Sequence, residues 1–487
     1  MMRKLALLLA TASLAGCTVG PDYHRPAVSL TPAFMAAPAI ASRSDSATAD
    51  IDWWRGFDDP MLADFVARAL AGNLDIAQAR ARIDQSRAAA RAAGAALLPS
   101  FGAAGGVTAA SQSLETPIGK IGQAFGQPRG TTQYSVGAEA SWEIDLFGGL
   151  RRGSEAARAD LAATEAGAGA VRIAIAAETA DAYLTLRALQ AQLDVARRQE
   201  ATQARLVALV RQRVDQGIAP DRELNRATGA LEGVRASLAP LRAGIEAQLN
   251  RLDVLVGEQP GANRDLLAAQ RPIPEAPMPA GSAAPTDLLR RRPDVVASEA
   301  RLAAANARIG VAVANYYPHF SLSGLLGVAS LGTSNLFTGG AVAASAGAGL
   351  RWRLFDFGRV DAAVAQAKGV QAEALAAWRG SILLAAEDVE TALARLAEAR
   401  RERMALERQV AALTTARAQA DQAYEGGVVS LIEVLDADRE LLGASNRLAA
   451  VQADEARSAV AAYRALGGGW QPEAKALAFA AQPRDRR

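Results

Sequence analysis

The chain has 487 residues, with 53 Lys and Arg against 51 Asp and Glu, and therefore a formal net charge of +2. This near-neutral balance lacks the basic excess that marks nucleic-acid-binding proteins, so nucleic acid is excluded as a partner. Half of the residues are hydrophobic but only 5% are aromatic, and this composition favours close-packed helices over a thick globular core.

The first residues have the pattern of a secretory signal. A basic pair precedes the apolar run 5–12, and residues 14–17 (Leu-Ala-Gly-Cys) match the bacterial lipobox, whose cysteine becomes the lipidated first residue of the mature chain. An ordinary secretory cleavage site beside a chance cysteine is the alternative. Because Cys17 is the only cysteine, intrachain disulfides and multi-thiolate metal sites are excluded. Thr18 follows it instead of an aspartate, which favours anchoring to outer-membrane lipid.

A repeat in fixed register organises the rest of the chain. Six residues recur 210 positions later: Trp142, Phe147, Gly148, Gly217, Glu223 and Gly257 return as Trp352, Phe357, Gly358, Gly427, Glu433 and Gly467. The predicted segments are a signal peptide (1–16), a lipid-anchored N-terminal tail (17–60), a first repeat (61–257), a Pro-rich linker (258–286), a second repeat (287–469) and a C-terminal tail (470–487). Each repeat is expected to hold a helix, two strands and a long helical hairpin. Such a unit cannot bury its apolar surface alone, which indicates assembly.

Each repeat opens with a helix that leads into strands. The helices are predicted over 61–98 and 293–317, and each is stopped by a proline. Strands are predicted over 100–110, 132–143, 319–330 and 344–353. Apolar residues alternate there with small or charged ones, as in a strand with one lipid-facing and one lumen-facing side. A small soluble sheet is the alternative.

The strands also carry candidate interface and lumen residues. Trp142 and Trp352 lie where an interfacial aromatic girdle is expected. On the opposite face, charged residues either tune the exit of a barrel or form a plain solvated face; they are Glu139, Glu143, Arg351 and Arg353.

The number of strands predicts an oligomer. After the signal there is no run of 18 apolar residues, so no transmembrane helix is predicted and any membrane span must be a β-barrel. Four strands cannot close a barrel, and an open sheet edge is not tolerated in lipid. Since barrels have about 8 or more strands, a dimer and a trimer both satisfy the pattern.

The helical hairpins are unusually long. Helices of roughly 64 residues, or about 96 Å, are predicted over 149–213 and 358–424. Return helices are predicted over 222–256 and 431–466. Pro240 interrupts the hydrogen-bond ladder of the first return helix, so a kink is expected there. Attached to a lipid-anchored barrel, such a hairpin would reach deep into the periplasm.

The motifs along these elements resemble one family. Besides the lipobox they are Trp53-Trp54 with 57–60 (Phe-Asp-Asp-Pro), 73–76 (Asn-Leu-Asp-Ile), 142–148 (Trp-Glu-Ile-Asp-Leu-Phe-Gly), 291–295 (Arg-Arg-Pro-Asp-Val), Ile309-Gly310, 354–359 (Leu-Phe-Asp-Phe-Gly-Arg) and 424–427 (Tyr-Glu-Gly-Gly). Over residues 14–470 the chain resembles the TolC-like outer-membrane factors, in particular the NodT-like lipoprotein branch of RND-type multidrug efflux systems.

The resemblance implies a fold and a set of partners. The fold is an α+β membrane protein, a homotrimer whose 12-stranded β-barrel takes four strands from each protomer and continues into a periplasmic α-helical barrel. The helical end meets a periplasmic adaptor protein and an inner-membrane pump. The implied function is a passive exit duct for drugs or other small molecules, with energy supplied elsewhere.

The two hairpin tips carry candidate docking residues. Gly217 and Gly427 occupy equivalent turns, where a tight reversal requires φ > 0. They are expected to be helix stops in any case. The resemblance additionally places adaptor docking at the grooves around 213–222 and 423–432.

Beside the second tip, Glu433 and Asp436 are three residues apart and therefore share one helix face. On spacing alone they are ordinary surface acids. The resemblance implies that they form a narrow, cation-favouring aperture gate with Glu223, and that Tyr424 holds it closed through hydrogen bonds between neighbouring hairpins. Arg226 stands at the position equivalent to Asp436 in the first repeat, so the two tips are not equivalent.

No catalysis, cofactor or metal site is predicted. His24 and His319 are far apart in sequence, and no nucleophile–base pair or phosphate-binding loop is present. Two rival functions remain open. One is a duct of the same fold that serves type I protein secretion or metal export. The other is a lipid-anchored helical scaffold or adhesin without a pore.

Overall fold

The computed structural model of the protein describes residues 18–28, 31, 33–35, 51–278 and 291–471. The predicted signal peptide and Cys17 lie outside the described residues, as do 279–290 of the linker region and 472–487 of the C-terminal tail. The chain divides into two compact units. The sheet unit holds the described parts of residues 1–25, 84–162 and 299–377, and the helical unit holds those of 26–83, 163–298 and 378–487.

Nine α-helices and four strands are numbered here in chain order over the described residues. The helices are α1 Pro60–Gly72, α2 Leu74–Ala95, α3 Pro117–Ala124, α4 Gly149–Asp215, α5 Asp221–Leu255, α6 Arg264–Leu267, α7 Pro293–Ala314, α8 Arg359–Glu425 and α9 Leu431–Ala465. The strands are β1 Ser100–Ser111, β2 Gly130–Ile144, β3 His319–Ser330 and β4 Val342–Arg351. None of the helices in this part of the chain is long and apolar enough to cross a membrane.

The four predicted strands form one antiparallel sheet in the order β1-β2-β3-β4. Its register pairs Val136 with Val328, and Glu139 with both Gly102 and Leu325. Because directly paired residues point to the same side of a sheet, the face that holds Val136 is mainly apolar. The other face is built mostly of glycine, serine and alanine and carries Glu139, Glu143 and Arg351, whereas Arg353 lies beyond the end of β4. The predicted alternation is therefore confirmed.

The two tryptophans at the ends of β2 and β4 make equivalent hydrogen bonds. The Trp142 Nε1 donates to the Leu97 carbonyl at 3.0 Å, and the Trp352 Nε1 donates to the Tyr316 carbonyl at 2.9 Å. Both carbonyls belong to the short link between a helix and the next strand. Each indole thus fastens the end of its strand to the link between a helix and the next strand. The place of the two tryptophans in an interfacial girdle stays a prediction.

The predicted single helix over 61–98 is wrong, because Asn73 divides it into α1 and α2. The Asn73 Oδ1 accepts from the N–H of Asp75 at 2.9 Å and of Ile76 at 3.3 Å, so it caps the second helix. Its Nδ2 donates to the Leu255 carbonyl at 2.9 Å. The side chain therefore ends one helix, begins the next and fastens both to the end of α5.

The two long hairpins have matching bounds at an offset of 210 residues. Helices α4 and α8 each have 67 residues, and the return helices α5 and α9 each have 35. Glycines with positive φ follow the same offset: Gly148 and Gly358, Gly217 and Gly427, Gly257 and Gly467. Pro240 lies inside α5, which is continuous through it; a kink there stays a prediction.

The main core of the helical unit starts inside the predicted N-terminal tail. A 3₁₀ helix over Trp53–Phe57 buries Trp53, which stacks on Tyr463 of α9 with ring centroids 5.6 Å apart. Arg187 of α4 is fully buried and donates to the Ala269 carbonyl at 2.8 Å. Part of the predicted Pro-rich linker is thereby packed onto the helices, and it contains the short helix α6.

Candidate functional site at the hairpin tips

The turns at the two tips have the same hydrogen-bond pattern. In the first, the Ile218 N–H reaches the Arg213 carbonyl at 2.8 Å and the Gly217 N–H reaches the Val214 carbonyl at 2.9 Å. The second repeats these bonds from Val428 and Gly427 at 2.9 and 3.0 Å. This is the Schellman helix end, which places one residue in the left-handed region.

The two tip glycines are required by conformation and not by crowding. Gly217 has a φ of 71° and Gly427 a φ of 73°, as predicted. A Cβ built on either glycine meets no atom within 4 Å in the described part of the chain. Apolar side chains next to them are exposed, Ile218 by 63% and Val428 by 81%. Each tip therefore presents an apolar residue to solvent beside a rigid turn.

Behind the tips the two hairpins pack against each other through one apolar cluster, which we call the tip cluster. Its buried members are Leu206, Val207, Val210, Ala227, Leu231, Tyr424, Leu431 and Val434. They come from all four long helices, so both tips rest on a common base. The cluster explains why Leu431 and Val434 face inward on the first turns of α9.

Tyr424 belongs to this cluster and is only 4% exposed. The guanidinium of Arg213 lies over its ring, 4.9 Å from the centroid. Within the described residues its hydroxyl has no hydrogen-bond partner. Burial raises the pKa of Tyr424, and the nearby Glu223 raises it further while Arg213 acts in the opposite direction. Glu223 therefore lies near enough to affect the pKa of Tyr424.

Glu433 and Asp436 lie on the exposed side of α9, away from the tip cluster. The carboxylate of Asp436 faces Arg439 at 3.4 Å, and the Glu433 N–H donates to the Ser430 carbonyl at 3.1 Å in the first turn. Both carboxyl groups are accessible in the single chain. The structure therefore leaves them available to line an opening, and their role as a gate stays a prediction.

Sequence reasoning missed the buried acid next to them. Asp438 is 1% exposed; its Oδ1 accepts from the Arg417 Nε at 3.0 Å, and its Oδ2 accepts from the Gln203 Nε2 at 3.2 Å. Arg417 belongs to α8 and Gln203 to α4, so this network ties both hairpins together below the tip cluster. A signal was present, because residues 417 and 438 are equally distant from the turn at Gly427 and Val428. In an antiparallel hairpin, such positions face each other.

The charged residues of the sheet lie at its helix-proximal end. His319 Nδ1 is 2.8 Å from the Glu143 Oε1, and Arg351 is the register partner of His319. Glu139 lies further along the same face. In the residues that the structure describes, no group of three or more His, Cys, Asp or Glu is arranged to hold a metal ion.

Comparison with known proteins identifies the family. The family model described as outer membrane efflux protein matches residues 65–258 and 284–468. The chain belongs to the outer membrane efflux protein family. It is an outer-membrane channel component of an efflux pump, through which exported compounds leave.

Individual relatives match over almost the whole chain. The toluene efflux pump outer membrane protein TtgF of Pseudomonas putida is 31% identical, covering 96% of both chains. The cation efflux system protein CusC of Escherichia coli is 28% identical, covering 96% of this chain and 99% of its own. The solved outer-membrane channel OprN superposes with a TM-score of 0.86 at 33% identity, covering 94% of this chain and all of that one.

Proposed function

We propose that the protein works as a homotrimer, in which each chain gives four strands to one twelve-stranded barrel and two hairpins to one periplasmic α-helical tunnel. The supporting observation is the sheet, whose outer strands β1 and β4 each have one edge without a pairing strand in the described part of the chain. In lipid, each unsatisfied backbone group on such an edge costs several kcal/mol. Joining copies edge to edge satisfies these groups, and family membership favours three copies.

The anchor and the partners complete this proposal. Lipidated Cys17 holds the chain to outer-membrane lipid, a periplasmic adaptor docks at the tips, and an inner-membrane pump supplies the energy. The exposed Ile218 and Val428 are suited to a partner, because apolar side chains beside a rigid turn lose little entropy on binding. Drugs or other small molecules pass through the shared bore without chemical change.

The gate of the duct is the ring of acids at the tips. Three copies of Glu433 and Asp436 bring six carboxylates around the axis, and their summed potential favours cations over anions. Glu223 adds a third acid per chain beside Tyr424. The Tyr424 hydroxyl is buried in the single chain and lacks a partner among the described residues, so closing the gate through it requires the side chain to turn out of the tip cluster toward a neighbouring hairpin.

Single-channel recording in a planar bilayer tests the duct and its gate together. We expect small, cation-selective steps from the mature protein, and larger, less selective steps from the double variant Glu433→Ala, Asp436→Ala. The matched control is Glu440→Ala, an exposed acid seven residues further along α9 and about 10 Å from Glu433 along the axis. It should leave both conductance and selectivity unchanged.

The outcomes separate the rival functions. Equal conductance of the double variant and the wild type would refute the gate but keep the duct. A silent bilayer from a verified folded trimer would refute the duct and favour the scaffold. Metal export is a second candidate because CusC is a full-length relative. Export assays with a metal cation and with an organic dye in cells lacking other ducts distinguish the two cargoes.

A further inference from the structure

Residues 18–25, which we call the N-terminal strap, lie against helices α4 and α7 of the sheet unit. The strap begins beside the turn that precedes α4, where the Val19 N–H donates to the Phe147 carbonyl at 3.1 Å. It then runs along both helices as far as Arg25, whose guanidinium pairs with Glu299. The sequence predicted an extended tail here, whereas the contacts are those of a docked segment.

On α7 the strap follows a single face. Its contacts are Gly20 with Gly310, the Pro21 carbonyl with the Asn306 Nδ2 at 2.9 Å, Tyr23 with the cluster that contains Ala303, and Arg25 with Glu299. The helix positions 299, 303, 306 and 310 are spaced by four, three and four residues, which is one stripe of an α-helix. The strap therefore runs antiparallel to α7.

The lengths of the two segments agree. Eleven residues of helix between Glu299 and Gly310 rise about 16 Å at about 1.5 Å each. Five residues of extended chain between Gly20 and Arg25 span about 17 Å at about 3.3 Å each. The extended strap therefore covers the same distance as the helix without looping out, so that successive contacts form along the whole stripe.

On α4 the strap is held by one buried guanidinium. The Arg152 side chain is 4% exposed, and its Nη2 donates to the Asp22 Oδ1 at 2.7 Å. The same group donates from Nε and Nη2 to the carbonyls of Val19 and Gly20, each at 3.3 Å. Without the strap, Arg152 would lose these three acceptors and keep its pair with Glu155 at 2.8 Å, so the guanidinium favours the docked strap.

Two close approaches allow only glycine. Gly20 has a φ of 90°, and a Cβ on it would lie 2.4 Å from the Gly310 Cα. A Cβ on Gly310 would lie 2.9 Å from the Val19 carbonyl oxygen. Since backbone atoms cannot move aside as side chains do, the strap crosses α7 where both chains lack a side chain. This crossing gives a physical reason for the Ile309-Gly310 motif.

The repeat offers an internal comparison for a third glycine. Gly148 and Gly358 are equivalent, with φ values of 83° and 84°. A Cβ on Gly148 would lie 2.9 Å from the Thr18 Cα, whereas a Cβ on Gly358 meets nothing within 4 Å among the described residues. The two glycines share the same backbone strain, and only the first also makes room for the strap.

We propose that the groove between α4 and α7 is a docking site for the chain's own residues 18–25, and that this docking fixes the point from which the mature N-terminus leaves the sheet unit. The proposal rests on the proposed function only in that the residue before Thr18 carries the lipid. The anchor is then a rigidly placed part of the fold, and the docked strap joins α4 to α7 independently of the membrane.

Limited proteolysis of the detergent-solubilised oligomer tests this. Chymotrypsin cleaves after tyrosine, and the bond after Tyr23 fits a protease only once the strap leaves its groove. We expect Gly148→Ala to release the fragment that ends at Tyr23 about tenfold faster than wild type, equivalent to about 1.4 kcal/mol. The matched control Gly358→Ala, strained equally in its backbone, should be cleaved at the wild-type rate.

A second variant keeps the test decisive if Gly148→Ala does not fold. Asn306→Ala removes the hydrogen bond to the Pro21 carbonyl without introducing strain, and it should speed the same cleavage several-fold. Replacing the lipoprotein signal with an ordinary secretory signal yields an unacylated chain, whose Tyr23 should stay protected. Equal rates for Gly148→Ala and Gly358→Ala, or loss of protection in the unacylated chain, would overturn the proposal. Neither result depends on conductance, so refuting the docked strap would not refute the proposed duct.

Discussion

The two charged residues of the buried network around Asp438 should differ strongly in how much their replacement destabilises the tip. Replacing Arg417 with Met removes the guanidinium 3.0 Å from a carboxylate that is 1% exposed, and leaves it the Gln203 amide. Breaking a buried pair in this way costs about 3–5 kcal/mol. Replacing Asp438 with Asn should cost about 1 kcal/mol, because Arg417 is 26% exposed and still reaches water and Asp421.

The neighbouring Gln203 should reduce the stability cost of Asp438→Asn further. The Gln203 Oε1 is buried and has no hydrogen-bond partner among the described residues. An Asn at position 438 brings an amide donor to this site, which the carboxylate could not supply. The double variant Arg417→Met, Asp438→Leu removes both charges and should come within about 1 kcal/mol of wild type.

Hydrogen exchange of the amides in residues 424–434 measures the local opening of the tip. A cost of about 3–5 kcal/mol corresponds to exchange that is faster by about two to four powers of ten in Arg417→Met. The control is Arg439→Met, which breaks the exposed pair with Asp436 and should change exchange little. Equal effects of Arg417→Met and Asp438→Asn, or a double variant worse than either single one, would refute this reasoning.

Three further predictions concern single residues. Tyr424→Phe should leave the stability of the tip unchanged, whereas Tyr424→Ala should lower it by about 3–5 kcal/mol, because the ring fills the tip cluster. Gly217→Ala should destabilise the first tip by about 1–2 kcal/mol, while Gly229→Ala, inside α5 with open space around it, should stabilise it by up to about 1 kcal/mol; denaturant titration distinguishes these signs. Burial and the hydrogen bond to Asp59 raise the pKa of Tyr183 to about 12. Because the unfolded value is lower, the folded state should lose stability between pH 10 and pH 12, and Tyr183→Phe should lose less over this range.

Features that depend on short stretches of sequence were predicted well. The alternation in 132–143 reports which side of β2 is apolar, since each residue's direction follows from its neighbours alone. Gly217 and Gly427 mark the turns because the left-handed backbone conformation is unfavourable for residues that have a side chain, and this cost arises within the turn itself. The prediction of a single helix over 61–98 was wrong because the break at Asn73 is not a local feature. Asn73 gives a weak local signal, and its capping role depends on the end of α5.

The candidate site was predicted in part. The sequence and the family resemblance singled out Glu433 and Asp436, and the structure leaves both exposed beside the second tip. The buried acid two residues later was missed, although Asp438 follows the buried Leu431 and Val434 at seven and four residues and therefore lies on the same face of α9. Only the packing of α9 against α8 and α4 determines which of the two carboxylates loses its water.

The sequence by itself determined the four strands, the long hairpin helices, their order and the 210-residue offset, because prolines, glycines and periodic apolar residues act through the nearest few neighbours. The tertiary structure alone decided which charges are buried and where the N-terminal strap docks. Gly20 and Gly310 are 290 positions apart in the sequence, and their contact depends on folding α7 beside α4. Whether a residue needs to be glycine there is a property of the space between two segments, and no single segment of the chain encodes it.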